Sequence, residues 1–190
     1  MRARQAGTRN SVQRTAARSG SVVAAWVGAA LLAVLPAADA AAAPIKLAVF
    51  DFELEDFSAA ASSAGETISG TEPLARVTEE VRELLAQSGR YRLVDIATAD
   101  MPAAKARPLH KCDGCDAEIA RELGADQSFV GVIQWISRTE YVVRFQIRDA
   151  RTGAVVAGGN SGLRMGADYS WGRGATRLLE DRLLERQARQ

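Results

Sequence analysis

The 190-residue chain carries 24 Lys+Arg against 23 Asp+Glu, but five of the arginines (Arg2, Arg4, Arg9, Arg14 and Arg18) precede position 19. Setting aside residues 1–40, which hold those five and Asp39, leaves 19 basic against 22 acidic residues, a charge near −3. That balance excludes a nucleic-acid-binding face, which needs clustered positive charge, while the roughly 150 residues remaining suit one domain with a single core.

The basic start leads into an apolar run from Val22 to Leu35, ended by Pro36 and followed by the small-residue site Ala38-Asp39-Ala40. A basic region, a short apolar region and an A-x-A-like site form a secretory signal peptide. The run falls short of the roughly 20 residues that a bilayer-spanning helix needs. Cleavage near Ala40 is predicted, releasing a periplasmic protein of residues 41–190 with no transmembrane segment. No cysteine directly follows the apolar run, so no lipid anchor is expected.

Ile45 to Phe52 (IKLAVFDF) reads as a buried strand, short, apolar and rich in β-branched and aromatic residues. Glu53 to Thr71 is acidic, then rich in Ser, Ala and Gly, and is predicted to be a long mobile loop. A helix is predicted from about Pro73 to Ser88, with Leu74, Val77, Val81, Leu84 and Leu85 on one face and Gly89 at its stop. Tyr91 to Asp95 is a second strand. Ala97 to Lys111, with Pro102 and Pro108, is irregular. A short helix from Cys115 or Asp116 to Leu123 ends at Gly124.

Three strands follow. Gln127–Ser137 and Glu140–Asp149 pair across a short turn, and the second alternates Tyr141, Val143, Phe145 and Ile147 with Arg144, Gln146 and Arg148. That is the pattern of an antiparallel strand with one wet face. Asp149–Gly153 is a hairpin loop leading to a strand from Ala154 to about Arg164. Trp171, Ala175, Leu178, Leu179 and Leu183 mark a C-terminal helix. The order β-α-β-α-β-β-β-α predicts an α/β (α+β) domain with a mixed sheet and packed helices.

Possible chemistry concentrates in His110-Lys111-Cys112-Asp113-Gly114-Cys115-Asp116. A dithiol oxidoreductase needs a thiolate of low pKa, often at a helix N-terminus. Here the pair follows a proline-containing loop, and Asp113 and Asp116 oppose a thiolate. A metal site would use His110, Cys112 and Cys115 as soft ligands, with Asp113 or Asp116 as the fourth, since the chain has no other His or Cys. Covalent haem is excluded because Asp116, not histidine, follows the second cysteine. An oxidising compartment favours the third reading, a local disulfide between Cys112 and Cys115 that fixes the helix entry.

Elsewhere catalytic groups are scarce. There is no Gly-x-Ser-x-Gly elbow, and Gly70-Thr71-Glu72-Pro73 reads as a helix cap. Asp51, Glu53, Glu55 and Asp56 form an acidic run without a calcium-loop pattern, which predicts a solvated stretch. No cofactor is called for. Trp171 is predicted to be core. Trp135 lies on a strand with two apolar faces, which leaves its side open. Gly131, Gly158, Gly159 and Gly162 are candidates for bulges or close backbone approach.

The segments LAVFDF (Leu47–Phe52), RYRLVD (Arg90–Asp95), LGADQSFVGVI (Leu123–Ile133) and IRDARTGAVV (Ile147–Val156), in that order, resemble the amino-terminal domain of the translocation protein TolB. Similar patterns occur in curli-secretion and penicillin-binding-protein-activator lipoproteins. CDGCDAEIARELGAD (Cys112–Asp126) and DYSWGRGATRLLEDRLL (Asp168–Leu184) are similar to a family of small exported bacterial proteins, domain of unknown function 3280. The resemblance implies a TolB-like α/β fold and a non-enzymatic accessory role, binding other cell-envelope proteins through the loop Glu53–Thr71 and an edge of the meander. Dithiol redox or metal handling at Cys112 and Cys115 is the alternative.

Overall fold

The computed structural model describes residues 43–58, 71–97 and 108–185, all within one compact unit. The expected signal peptide lies outside these residues, as do residues 59–70 of the expected loop. No helix among the described residues is long and apolar enough to cross a membrane.

Strand β1 (Ile45–Val49) lies parallel to both β3 (Tyr91–Val94) and the start of β4 (Gln127–Ser137). Helix α1 (Glu72–Gln87), with Pro73 in its first turn as expected, makes the crossover that a parallel pair requires. Strand β5 (Glu140–Asp149) returns antiparallel to β4, and β6 (Val155–Asn160) antiparallel to β5, so the sheet runs β3-β1-β4-β5-β6. The turn between β5 and β6 is organised by Asp149, whose Oδ1 accepts from Thr152 Oγ1 and from the N–H groups of Thr152 and Arg151. The Thr152 hydroxyl first, then the backbone donors, holds this carboxyl below the usual carboxylate range.

The predicted loop begins later than expected. Glu53–Asp56 is a strand, β2, parallel to Val132–Trp135 of β4. An acidic tetrapeptide has little strand preference of its own. The partner supplies the reason: β4 runs 11 residues, β1 covers only its first part, and the same chain continues along the remainder. Between β1 and β2 the Phe52 N–H donates to Thr78 Oγ1 at 2.9 Å, and that hydroxyl donates to Leu74 O at 2.8 Å. The bend is thus tied to α1.

The predicted third meander strand also divides. After β6, Ser161–Leu163 form a kink with Gly162 at φ 66°, and β7 (Arg164–Met165) rejoins β5 opposite Glu140 and Tyr141. Helix α3 (Trp171–Leu179) widens into a π-helical turn over Glu180–Leu184.

Two apolar layers enclose the sheet. On one face, Leu47, Val49, Phe129, Ile133, Val143 and Ile147 pack with Val77, Val81 and Leu85 of α1 and Trp171, Leu178 and Leu183 from the C-terminal helix. Trp135 joins this side, half-buried. On the other, Ala48, Phe50, Val130 and Val132 meet Leu109 and helix α2 (Cys115–Glu122) through Ile119 and Ala120. Coverage on both faces accounts for the unbroken burial of Ser128 to Ile133 in β4. In β5 only one face is covered, so its alternation persists as read from the sequence.

Gly131 is required by packing. A Cβ there would lie 2.5 Å from Cε1 and 2.6 Å from Cε2 of Phe52, whose ring is buried beside Phe129. Gly131→Ala is expected to cost about 1–3 kcal/mol, the range for forcing extra volume into a filled core. Urea unfolding of the variant checks this.

Candidate functional site

The cysteine loop stands over the less covered face of the sheet. Leu109–Lys111 form a single 3₁₀ turn, Gly114 takes φ 93° just before α2, and Cys115 opens the helix. Only glycine adopts that backbone without strain, which explains the Cys-Asp-Gly-Cys spacing. Cys112 and Cys115 are placed as a disulfide pair, with Cα atoms 5.8 Å apart, and the Cys115 N–H donates to Cys112 Sγ at 3.1 Å.

His110 points elsewhere. Its Nδ1 lies 2.5 Å from Glu53 Oε2, so the ring donates to that carboxylate. The same carboxylate accepts the N–H groups of Leu109 at 2.6 Å and His110 at 2.9 Å. Glu55, one pleat further along β2, accepts from Gln134 Nε2 at 2.8 Å and lies 3.8 Å from both Lys111 Nζ and His110 Nε2. The Nε2 atom itself is buried without a hydrogen bond among the described residues. Among the described residues no three His, Cys, Asp or Glu side chains converge to hold a metal ion. The His110 ring is turned to Glu53, while Cys112 and Cys115 are placed against each other.

The acidic run departs from the solvated stretch that was expected. Glu53 and Glu55 are only 20% and 19% exposed and anchor the turn that carries His110 and Lys111. Asp51 pairs with Arg82 of α1 at 2.9 Å, and Asp56 Oδ1 accepts the N–H of Ser58. Alternation along Glu53-Leu54-Glu55 is the one sequence signal that both carboxylates share a face.

Next to this turn lies a second polar group that the sequence did not bring together. Asp116, in the first turn of α2, accepts from Ser128 Oγ at 2.5 Å and sits 3.6 Å from Arg148 Nε. Arg148 also donates to Gly153 O at 2.8 Å and contacts Asp113 Oδ1 at 3.3 Å. These residues join α2, β4, β5 and the β5–β6 turn. A cavity of about 100 Å³ opens beside them, lined among others by Leu109, Cys112, Val130, Val132, Arg144 and Arg148.

A different feature lies at the sheet edge. Among the described residues β6 is hydrogen-bonded on one side only. Val155 and Val156 on it are 53% and 51% exposed, and Leu163, Met165 and Tyr169 beyond the kink are exposed as well. Gly159 leaves room for Phe145 and Arg182, and Gly158 lies against the backbone of β5.

The family model DUF3280, described as a protein of unknown function (DUF2380), matches residues 45–183. Among solved structures, the LpoB C-terminal domain from Salmonella enterica is similar at 20% identity, with 66% of this chain and 85% of that chain covered and a TM-score of 0.46. A PelC dodecamer from Paraburkholderia phytofirmans is similar at 20% identity over 75% of this chain and 86% of that one, TM-score 0.41. TolB from Acinetobacter baumannii is similar at 15% identity over 70% of this chain and 25% of its own, TM-score 0.39. No curated protein matches the chain. Because the family match takes in most of its length, the chain belongs to the DUF3280 family of proteins of unknown function.

Proposed function

We propose that this protein is a non-enzymatic accessory component of the bacterial cell envelope, exported to the periplasm, that binds another envelope protein along the β6–β7 edge. The observation that carries this reading is the edge itself. It has a free ladder side among the described residues, two half-exposed valines and three exposed apolar side chains just beyond. Edge strands are usually blunted by lysine, proline or a covering element. Val155–Asn160 (VVAGGN) contains no charge and no proline. An extended partner segment would gain main-chain hydrogen bonds there, with the valines supplying side-chain contacts.

A photo-crosslinking residue at Val156 is expected to capture a second protein in intact cells, while the same residue at exposed Glu83 on α1 does not. With the crosslinking residue moved to the neighbouring exposed Val155, Val156→Lys should reduce capture by about tenfold or more, since a charge on an edge opposes strand addition. Absence of any adduct from Val156 overturns the reading. The alternative, dithiol exchange, takes its support from the Cys115 N–H on Cys112 Sγ and from Cys112 in the cavity wall. Changing both cysteines to serine should leave capture intact. Loss of capture with an unchanged fold would favour the alternative.

A further inference from the structure

We propose that the cavity beside the cysteine loop is a binding site for a small monocarboxylate of about four to six heavy atoms. Its charged lining is two cations, Arg144 and Arg148, against one carboxylate, Asp116, an excess of one positive charge. Arg148 is already engaged by Asp116, Asp113 and Gly153 O. Arg144 is not: no carboxylate lies within ion-pair distance of it among the described residues. Its neighbours across the sheet are Val132 on β4 and Asn160 on β6, neither of them charged. A guanidinium without an anion, standing over an apolar floor, is matched to a carboxylate that it can hold through two parallel N–H···O bonds.

The floor and the volume restrict the rest of the ligand. Val130 and Val132 are buried within the sheet and present methyl groups to the cavity. A cavity of 150 Å³ takes a benzene-sized molecule, so about 100 Å³ suits a chain of one to three carbons behind the carboxyl group. Nucleotides and sugars exceed that volume, and a dicarboxylate would bring a second charge that, among the described residues lining the cavity, meets only the already engaged Arg148. Across the sheet from Gln146, which lines the cavity, β6 carries Gly158, which has no side chain. The site does not depend on edge docking, because Val156→Lys leaves Arg144 in place.

The test is a titration of the isotope-labelled protein with sodium propionate at fixed ionic strength, followed by amide resonances. Saturable shifts at Val130, Val132 and Gln146 are expected, with propionamide at least tenfold weaker. Arg144→Gln, at an exposed strand position, should weaken propionate at least tenfold while the remaining resonances keep their places. The inference is overturned by a linear, non-saturating response, or by equal binding to the Arg144→Gln protein. It is overturned also if inorganic phosphate competes as well as propionate, which marks a bare anion site. Binding of a tripeptide through its free C-terminal carboxylate, with none of propionate, would assign the carboxylate to a protein partner and overturn the small-acid source.

Discussion

Asp116→Ala is expected to destabilise the domain by about 3 kcal/mol, the lower end of the 3–5 kcal/mol range for removing one member of a buried ion pair. The Asp116 side chain is 3% exposed and the Arg148 side chain 15%. Removing the carboxylate leaves two groups wanting. Ser128 Oγ, on a fully buried residue, loses its acceptor, and Arg148 loses its least solvated partner. Arg148 keeps Asp113 and Gly153 O, which limits the loss. The first turn of α2 also gives up a negative charge that favours its N-terminus. Ser128→Ala removes only one hydrogen bond and should cost less, about 1–3 kcal/mol. Urea unfolding of both variants with unchanged m-values checks the order. An Asp116→Ala protein within about 1 kcal/mol of the parent would show that the pair contributes little beyond a surface ion pair.

Trp171→Ala is expected to cost about 3–5 kcal/mol, the range for truncating a buried aromatic. Trp171 is 1% exposed, opens α3, and packs its ring 6.4 Å from that of Tyr141. Tyr141 in turn donates its hydroxyl hydrogen to Ser170 O at 3.0 Å, fixing the start of the helix to β5. Gly174 permits this approach, for a Cβ there would lie 2.7 Å from the tyrosine oxygen. Truncation therefore leaves a cavity where the C-terminal helix meets the sheet. Trp171→Phe separates volume from polarity. The indole Nε1 is buried with no hydrogen bond among the described residues, so phenylalanine keeps much of the packing and removes an unsatisfied donor. That variant should cost less than about 1.5 kcal/mol. Thermal unfolding followed by near-ultraviolet circular dichroism compares the two. Equal losses would mean that the ring's shape, not its area, holds the helix.

Local signals were sufficient wherever a segment's own pattern agreed with its surroundings. The edges of β4 and β5 fell at the residues expected, because a long β-branched run and a strict alternation define them without help from neighbours. Helix α1 announced itself by its apolar face and by Pro73. Trp171 was legible as core from its spacing with Ala175, Leu178 and Leu179. The exported setting pointed to a bond between Cys112 and Cys115, and the structure places the two at disulfide distance where α2 begins.

Charged residues were where sequence reasoning stopped. Glu53-Leu54-Glu55-Asp56 resembles a solvated run, and it becomes a strand only because β4 extends past the end of β1 and leaves backbone groups to be paired. His110 looked like a partner for the cysteines two and five positions away, yet Glu53, 57 residues upstream, holds it. Arg144 and Arg148 share one face of one strand and read alike, but among the described residues only Arg148 finds carboxylates, because α2 brings Asp116 beside it. Composition, periodicity and turn residues thus determined by themselves which segments fold and which faces are buried, since those preferences act within a few residues. Only the tertiary structure decided which charges are neutralised, which carboxylates are buried and which sheet edge stays open, because each depends on elements far apart in the chain meeting at distances where Coulomb attraction and desolvation compete.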